Sequence, residues 1–166
     1  MSDPITVTNR GPRNEIPVRK LAEAFAALVP GKIKSQVNRG LDVDGKPFAP
    51  YTPRYARALS RASEDGKVDL RLTGGLLNSI ATRSMREVAN NVWEILIAPD
   101  TGTSPAVSLV KGRAKRTARR GPPHNVVGYW LHNGTPKMRA RPWLGLSPES
   151  QRALIVQIMR SAARGR

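Results

Sequence analysis

Apolar positions set the frame of this chain before its composition is counted. In residues 17–29, Val18, Leu21, Phe25, Leu28 and Val29 fall on one helical stripe and Arg19, Lys20 and Glu23 lie off it, so a helix beginning at Pro17 is expected. Pro30-Gly31 should end it, because proline lacks the N–H that a helix interior uses. Residues 32–39 carry a more polar pattern that fits a second helical piece. Leu72, Leu76 and Ile80 recur four apart, which predicts an inward-packing helix over residues 74–80 with Thr73 as its cap. The period then shortens. From Ala81 onward, Thr82, Arg83, Met85 and Val88 fit a half-exposed strand, and residues 92–98 form the clearest strand, with Trp93, Ile95 and Ile97 on one face. Asn90-Asn91 between them tolerates positive φ, so the two strands should make a hairpin. The last periodic segment is residues 148–163, where Leu154, Ile155, Ile158, Met159 and Ala162 share one side of a helix. Ser147 is placed to cap it, Pro148 suits its first position, and Arg160 and Arg164 complement the dipole at its end.

The stretches between these elements are dense in punctuation. Residues 1–16 show little apolar periodicity and read as an extended or disordered arm. Residues 41–53 form a loop with a tight turn at Asp44-Gly45, pinned to the core by Phe48 and Tyr51. Asp42 and Asp44 do not make a calcium loop there, since a third oxygen ligand is missing and Pro53 stands where the closing glutamate belongs. Residues 55–63 fit a short basic helix, followed by the polar linker 64–67. Residues 99–125 have no useful period and read as a long loop insertion.

Residues 126–146 hold two of the three tryptophans. Val126, Val127, Tyr129, Trp130 and Leu131 make an apolar and aromatic block that Asn133, Gly134 and Pro136 stop. Lys137, Arg139 and Arg141 then alternate with Met138, Ala140 and Pro142, the period of an extended arm with one charged face. Trp143, Leu144 and Leu146 return to apolar surface. Trp130 is expected in the core. Trp143 stands between the basic arm and a helix start, and suits either the core or a subunit interface, where aromatics and arginine are enriched.

Charge changes the picture more than length does. The 166 residues are enough for one domain, taken as 17–166 with the arm 1–16 outside it and 99–125 as a basic insertion. Lys and Arg number 28 against 12 Asp and Glu, a formal charge of +16 whose self-repulsion calls for a polyanion or a partner subunit. Six of those cations, Lys111, Arg113, Lys115, Arg116, Arg119 and Arg120, stand together without an acid, and they are the candidate DNA-proximal residues. The run has no aromatic residue to stack on bases, and no recognition helix or metal finger appears elsewhere, so the contact expected is to nucleic-acid phosphates, independent of sequence. No apolar run reaches the roughly 20 residues of a membrane span, and the N-terminus lacks the apolar core of a signal peptide. Absence of cysteine excludes disulfides and thiolate metal sites and fits a reducing cytosol.

An enzyme of this size should show a nucleophile with a base, paired carboxylates or a metal cluster. His124 in the polar loop and His132 beside the aromatic block have few acids near them in sequence, so neither catalysis nor a metal or other cofactor is expected. His132 is assigned to packing or an interface. Gly74-Gly75 is not a phosphate loop, because no Lys-Ser or Lys-Thr follows it.

Four stretches in order carry a resemblance: DGKPF at 44–48, LRLTGGLLNSI at 70–80, YWLHNGT at 129–135 and RARPWLGLSPES at 139–150. Together they resemble the virion morphogenesis or tail-completion proteins of tailed bacteriophages, of the Mu-like and P2-like kinds. The resemblance implies an α+β fold, a small antiparallel sheet flanked by helices, here with an extended N-terminal arm and a long basic loop. It also implies a non-enzymatic virion protein of the neck, assembled in the host cytoplasm as a homo-oligomeric ring, with six subunits expected. Such a ring would complete the tail end and join it to the head connector, with head connector or adaptor proteins and tail tube or tail terminator proteins as its partners and double-stranded genome DNA, contacted without sequence specificity, in its lumen. Tyr129, His132, Arg139, Arg141 and Trp143 are then the candidate subunit-interface residues. A free basic DNA-binding or packaging accessory protein is the alternative.

Overall fold

The computed structural model describes residues 5–8, 17–53, 56, 74–110 and 113–164, with the backbone alone at 5–8, 105–110, 113–119 and 162–164. The expected basic helix at 55–63, the linker at 64–67 and the cap at Thr73 lie outside the described residues, Ala56 apart. Among the described residues the chain is an α+β fold of four helices and two small antiparallel sheets.

Helix α1 spans Val18–Asn38 and passes straight through Pro30, against the expectation that Pro30-Gly31 would end it. The reason lies in a distant strand. Pro30 has no N–H for the carbonyl of Ala26, four residues back, and that carbonyl instead accepts a hydrogen bond from the Thr82 hydroxyl at 2.6 Å. With the orphaned acceptor satisfied, Ile33 and Val37 extend the stripe of Ala22, Phe25, Ala26 and Val29, and all six are buried. A mid-helix proline costs about 3 kcal/mol, and burying Ile33 and Val37 returns roughly 1.5–3 kcal/mol each.

The stripe packs on a sheet ordered β1-β3-β2, all antiparallel. Strand β1 is Ile5–Thr8, so part of the expected N-terminal arm is a paired edge strand. Strands β2, Ala81–Ala89, and β3, Val92–Ala98, form the expected hairpin, with Asn91 at φ 58° in its turn. Ile95 and Ile97 point into the core and Trp93 packs at its margin, as the alternation predicts. The short helix α2, Gly75–Asn78, precedes β2 and buries Leu76 and Leu77; Gly74, at φ 72°, turns the chain into it.

The largest difference falls on residues 99–125. In place of a loop there is a two-stranded ribbon, β4 Thr103–Val110 and β5 Arg113–Pro123, which pairs with no third strand among the described residues. Alternation appears in a sequence when one face of a strand is buried, and a ribbon paired only with itself need not carry that pattern.

Helix α3, His124–Asn133, follows β5 directly and turns the expected aromatic block around. Tyr129 and Trp130 are exposed, at 55% and 42%, so Trp130 is not a core residue. The core position is taken by Trp143, which is fully buried and donates its indole N–H to the Gly128 carbonyl at 3.0 Å. Gly128 is required for this, because a Cβ there would lie 2.9 Å from the Trp143 ring. Gly134, at φ 79°, ends α3 where expected, and the returning chain passes so near that a Cβ would lie 2.8 Å from the Ala140 nitrogen.

Arg141 is not on a charged outer face either. It is 3% exposed, donates to the carbonyls of Ala49 at 2.9 Å and Pro50 at 3.0 Å, and stacks 4.9 Å from the Tyr51 ring centre. This clamps the 41–53 loop, whose Gly45 turn and buried Phe48 are as expected. Asp42 closes that turn by accepting the Asp44 and Lys46 N–H groups. Helix α4, Pro148–Arg164, begins at the expected cap, with Ser147 Oγ accepting the Ser150 N–H at 3.1 Å. Leu154 and Ile158 enter the core, while Ile155 and Met159, expected beside them, are exposed together with Val156.

Candidate nucleic-acid interface

The basic run stands on the ribbon. Arg113, Lys115, Arg116, Arg119 and Arg120 belong to β5, whose 11 residues reach roughly 35 Å at about 3.3 Å per residue. Lys111 lies outside the described residues, and Arg120, the last cation of the run, is exposed. The register pairs Arg113 with Val110, Lys115 with Ser108, Arg116 with Val107 and Arg120 with Pro105, so β4 sets no acid against β5. Residues 101–148 contain no Asp or Glu at all. The nearest carboxylate before the ribbon is Asp100, and it is engaged.

Asp100 closes a polar network at the ribbon's root. Its Oδ1 accepts the Gly102 N–H at 2.9 Å and the His124 Nδ1–H at 2.6 Å. In the neutral imidazole with Nδ1 donating, Nε2 of His124 accepts from the Ser104 hydroxyl at 2.8 Å. The backbone repeats the connection: His124 N–H donates to the Gly102 carbonyl at 2.8 Å and Asn125 N–H to the Asp100 carbonyl at 3.0 Å. Both ends of the ribbon are thereby tied to the first turn of α3. The His124 hydrogen bond, joined by that of Gly102, holds the Asp100 carboxyl below its usual range against a smaller desolvation effect.

Few acids stand near His124 in the chain, so the sequence alone gives it no catalytic role. Asp100 and Ser104 come from 24 and 20 residues upstream, and only the closing of the ribbon brings them to it. A local sign of half the network is present in Asp100-Thr101-Gly102, the pattern of an aspartate that hydrogen-bonds its own backbone two residues on.

The expected interface residues divide. Tyr129 and Arg139 are exposed. Arg141 and Trp143 are buried within their own chain and hold its loops together, so neither is available to a neighbour. His132 is half-buried, and its Nδ1 accepts the Leu144 N–H at 3.5 Å, with burial lowering its basicity. Trp130, not among the expected set, supplies the larger exposed ring beside Tyr129. Among the described residues no three His, Asp or Glu side chains gather as a metal would need, and no helix is long and apolar enough to cross a membrane.

Comparison with known proteins adds no relative: no family model matches the chain, and no curated protein or solved structure is significantly similar to it.

Proposed function

We propose that the protein is a structural subunit of a tailed-phage neck, assembling as a ring that completes the tail end and meets the head connector, with genome DNA passing through its lumen. The observation that carries this reading is the acid-free basic ribbon, which pairs only with itself among the described residues and forms a sheet separate from the one in the core. A strand of Lys and Arg attracts the phosphate backbone through counterion release, without reading bases and without holding one register. DNA that must pass through a channel needs attraction of that kind. The exposed Tyr129 and Trp130, with Arg139 near them in sequence, provide the aromatic and arginine surface through which a small subunit gains stability from its neighbours. In this role the protein acts as a scaffold and needs no cofactor.

The test is native mass spectrometry and electron microscopy of the purified protein, together with proteomics of virions. Closed rings and a virion-borne chain are expected. A protein that stays monomeric at high concentration and is absent from virions refutes the neck reading and leaves a free DNA-binding accessory protein. Replacing Lys115, Arg116, Arg119 and Arg120 together by Gln should leave ring assembly intact and weaken DNA binding, lowering the slope of log affinity against log salt by about 3 to 4. Loss of rings instead would make the ribbon a protein interface.

A further inference from the structure

Ser104, His124 and Asp100 do more than close the ribbon's root. We propose that Ser104 is a base-primed nucleophile, able to take the acyl group of small activated esters, with His124 as its general base and Asp100 as the residue that positions His124. This goes beyond the neck reading and does not depend on it.

The connectivity of the three groups carries the argument. Asp100 Oδ1 fixes the His124 proton on Nδ1 at 2.6 Å, which leaves Nε2 with its lone pair toward the Ser104 hydroxyl at 2.8 Å. A hydroxyl, an imidazole and a carboxylate linked in this order are the parts of a base-activated nucleophile. The imidazole is held firmly, with its side chain 12% exposed, while the Asp100 side chain is 43% exposed and further fixed by the Gly102 N–H. Ser104 itself is half-buried. Gly75 makes the arrangement possible: a Cβ there would collide with Ser104 Oγ and come within 3.0 Å of His124 Nε2. Gly75 backs the hydroxyl closely, so the smallest acyl groups would meet the least hindrance there.

The step balances without a further reactant. Ser104 Oγ forms a bond to the ester carbonyl carbon as its proton passes to His124 Nε2, and the carbonyl π pair moves onto oxygen. Collapse of the tetrahedral species expels the alcohol, which takes the proton back from Nε2, and leaves an ester on Ser104. Water, deprotonated by the same nitrogen, returns the serine and releases the acid. A positioned general base of this kind contributes roughly 10²–10⁴-fold.

The full-length protein is incubated with p-nitrophenyl acetate and, separately, with an alkyl fluorophosphonate, followed by intact mass and peptide mapping. One adduct per chain, on Ser104, is expected, forming about 100-fold faster than on any other hydroxyl, in line with that general-base contribution. Ser104→Ala should abolish it, and His124→Asn and Gly75→Ala should each slow it by at least about tenfold. Asp100→Asn should change the pH profile of labelling, since an amide no longer enforces the same tautomer. Ser104→Cys should react with iodoacetamide faster than a Cys placed at exposed Ser84. An adduct that survives Ser104→Ala overturns the proposal. So does a folded native protein that acquires none, even where Ser104→Ala lowers the melting temperature, for that result describes a purely structural network.

Discussion

Trp143 and Trp130 lie thirteen residues apart and have opposite surroundings. Trp143 is sealed between α3 and the core, with its indole N–H satisfied by Gly128, whereas Trp130 stands 42% exposed on the outer side of the same helix. The segment after α3 is similarly divided, since Arg141 is buried across the 41–53 loop and Arg139 faces outward. Residue type therefore does not separate the two regions. Position on one short helix and its return strand does. The inner region holds the chain together, and the outer region is the part that the proposed ring would give to a partner.

The largest expected effect comes from breaking the inner region. Trp143→Ala should cost about 3–5 kcal/mol, because it removes a fully buried ring and leaves a cavity above Gly128. Chemical denaturation measures this, and a loss under about 1 kcal/mol would mean that the ring is not part of the core.

A smaller effect sharpens the account of α1. Thr82→Val should cost about 1–2 kcal/mol by leaving the Ala26 carbonyl without its donor. In a Pro30→Ala background, where the restored backbone N–H can reach that carbonyl, the same change should cost less than half as much. Equal costs in the two backgrounds would sever the link between the proline and the threonine.

Acid should act through His132 before it acts through Asp100. Burial lowers the folded-state pKa of His132, so the unfolded chain binds the proton more readily. Stability should be level above pH 6.5, fall as the pH drops below that ordinary value, and level off beneath the folded-state pKa. His132→Asn should flatten this limb. Asp100 behaves differently: its lowered pKa stabilises the fold above the ordinary 3.8, and that contribution is lost as the pH falls through the folded value. Thermal melts across the two windows separate the groups.

The smallest effect on the subunit itself is expected from the outer region. Trp130→Ala should change stability by less than about 0.5 kcal/mol, as exposed substitutions do. Its consequence should appear in sedimentation as weakened assembly. Unchanged assembly would leave the aromatic pair without a role in the ring.

Much of the local structure was legible in the residues. The β2–β3 hairpin, the turn at Asp44-Gly45, the stop at Gly134 and the Ser147 cap each depend on side chains within a few positions of one another, and each stands where the pattern puts it. So does the gathering of cations on one stretch, which is a property of composition. What only the tertiary structure decided are matters of partners far apart in the chain. A threonine 56 residues from the Ala26 carbonyl it satisfies carries α1 through Pro30, and Gly128 gives Trp143 rather than Trp130 its place in the core. A self-paired ribbon of weak periodicity brings Asp100, Ser104 and His124 into one chain of hydrogen bonds. Periodicity records which face of an element is buried and caps record where it ends. Neither records which distant group will satisfy an orphaned carbonyl or an imidazole nitrogen, and that is settled only when the elements pack.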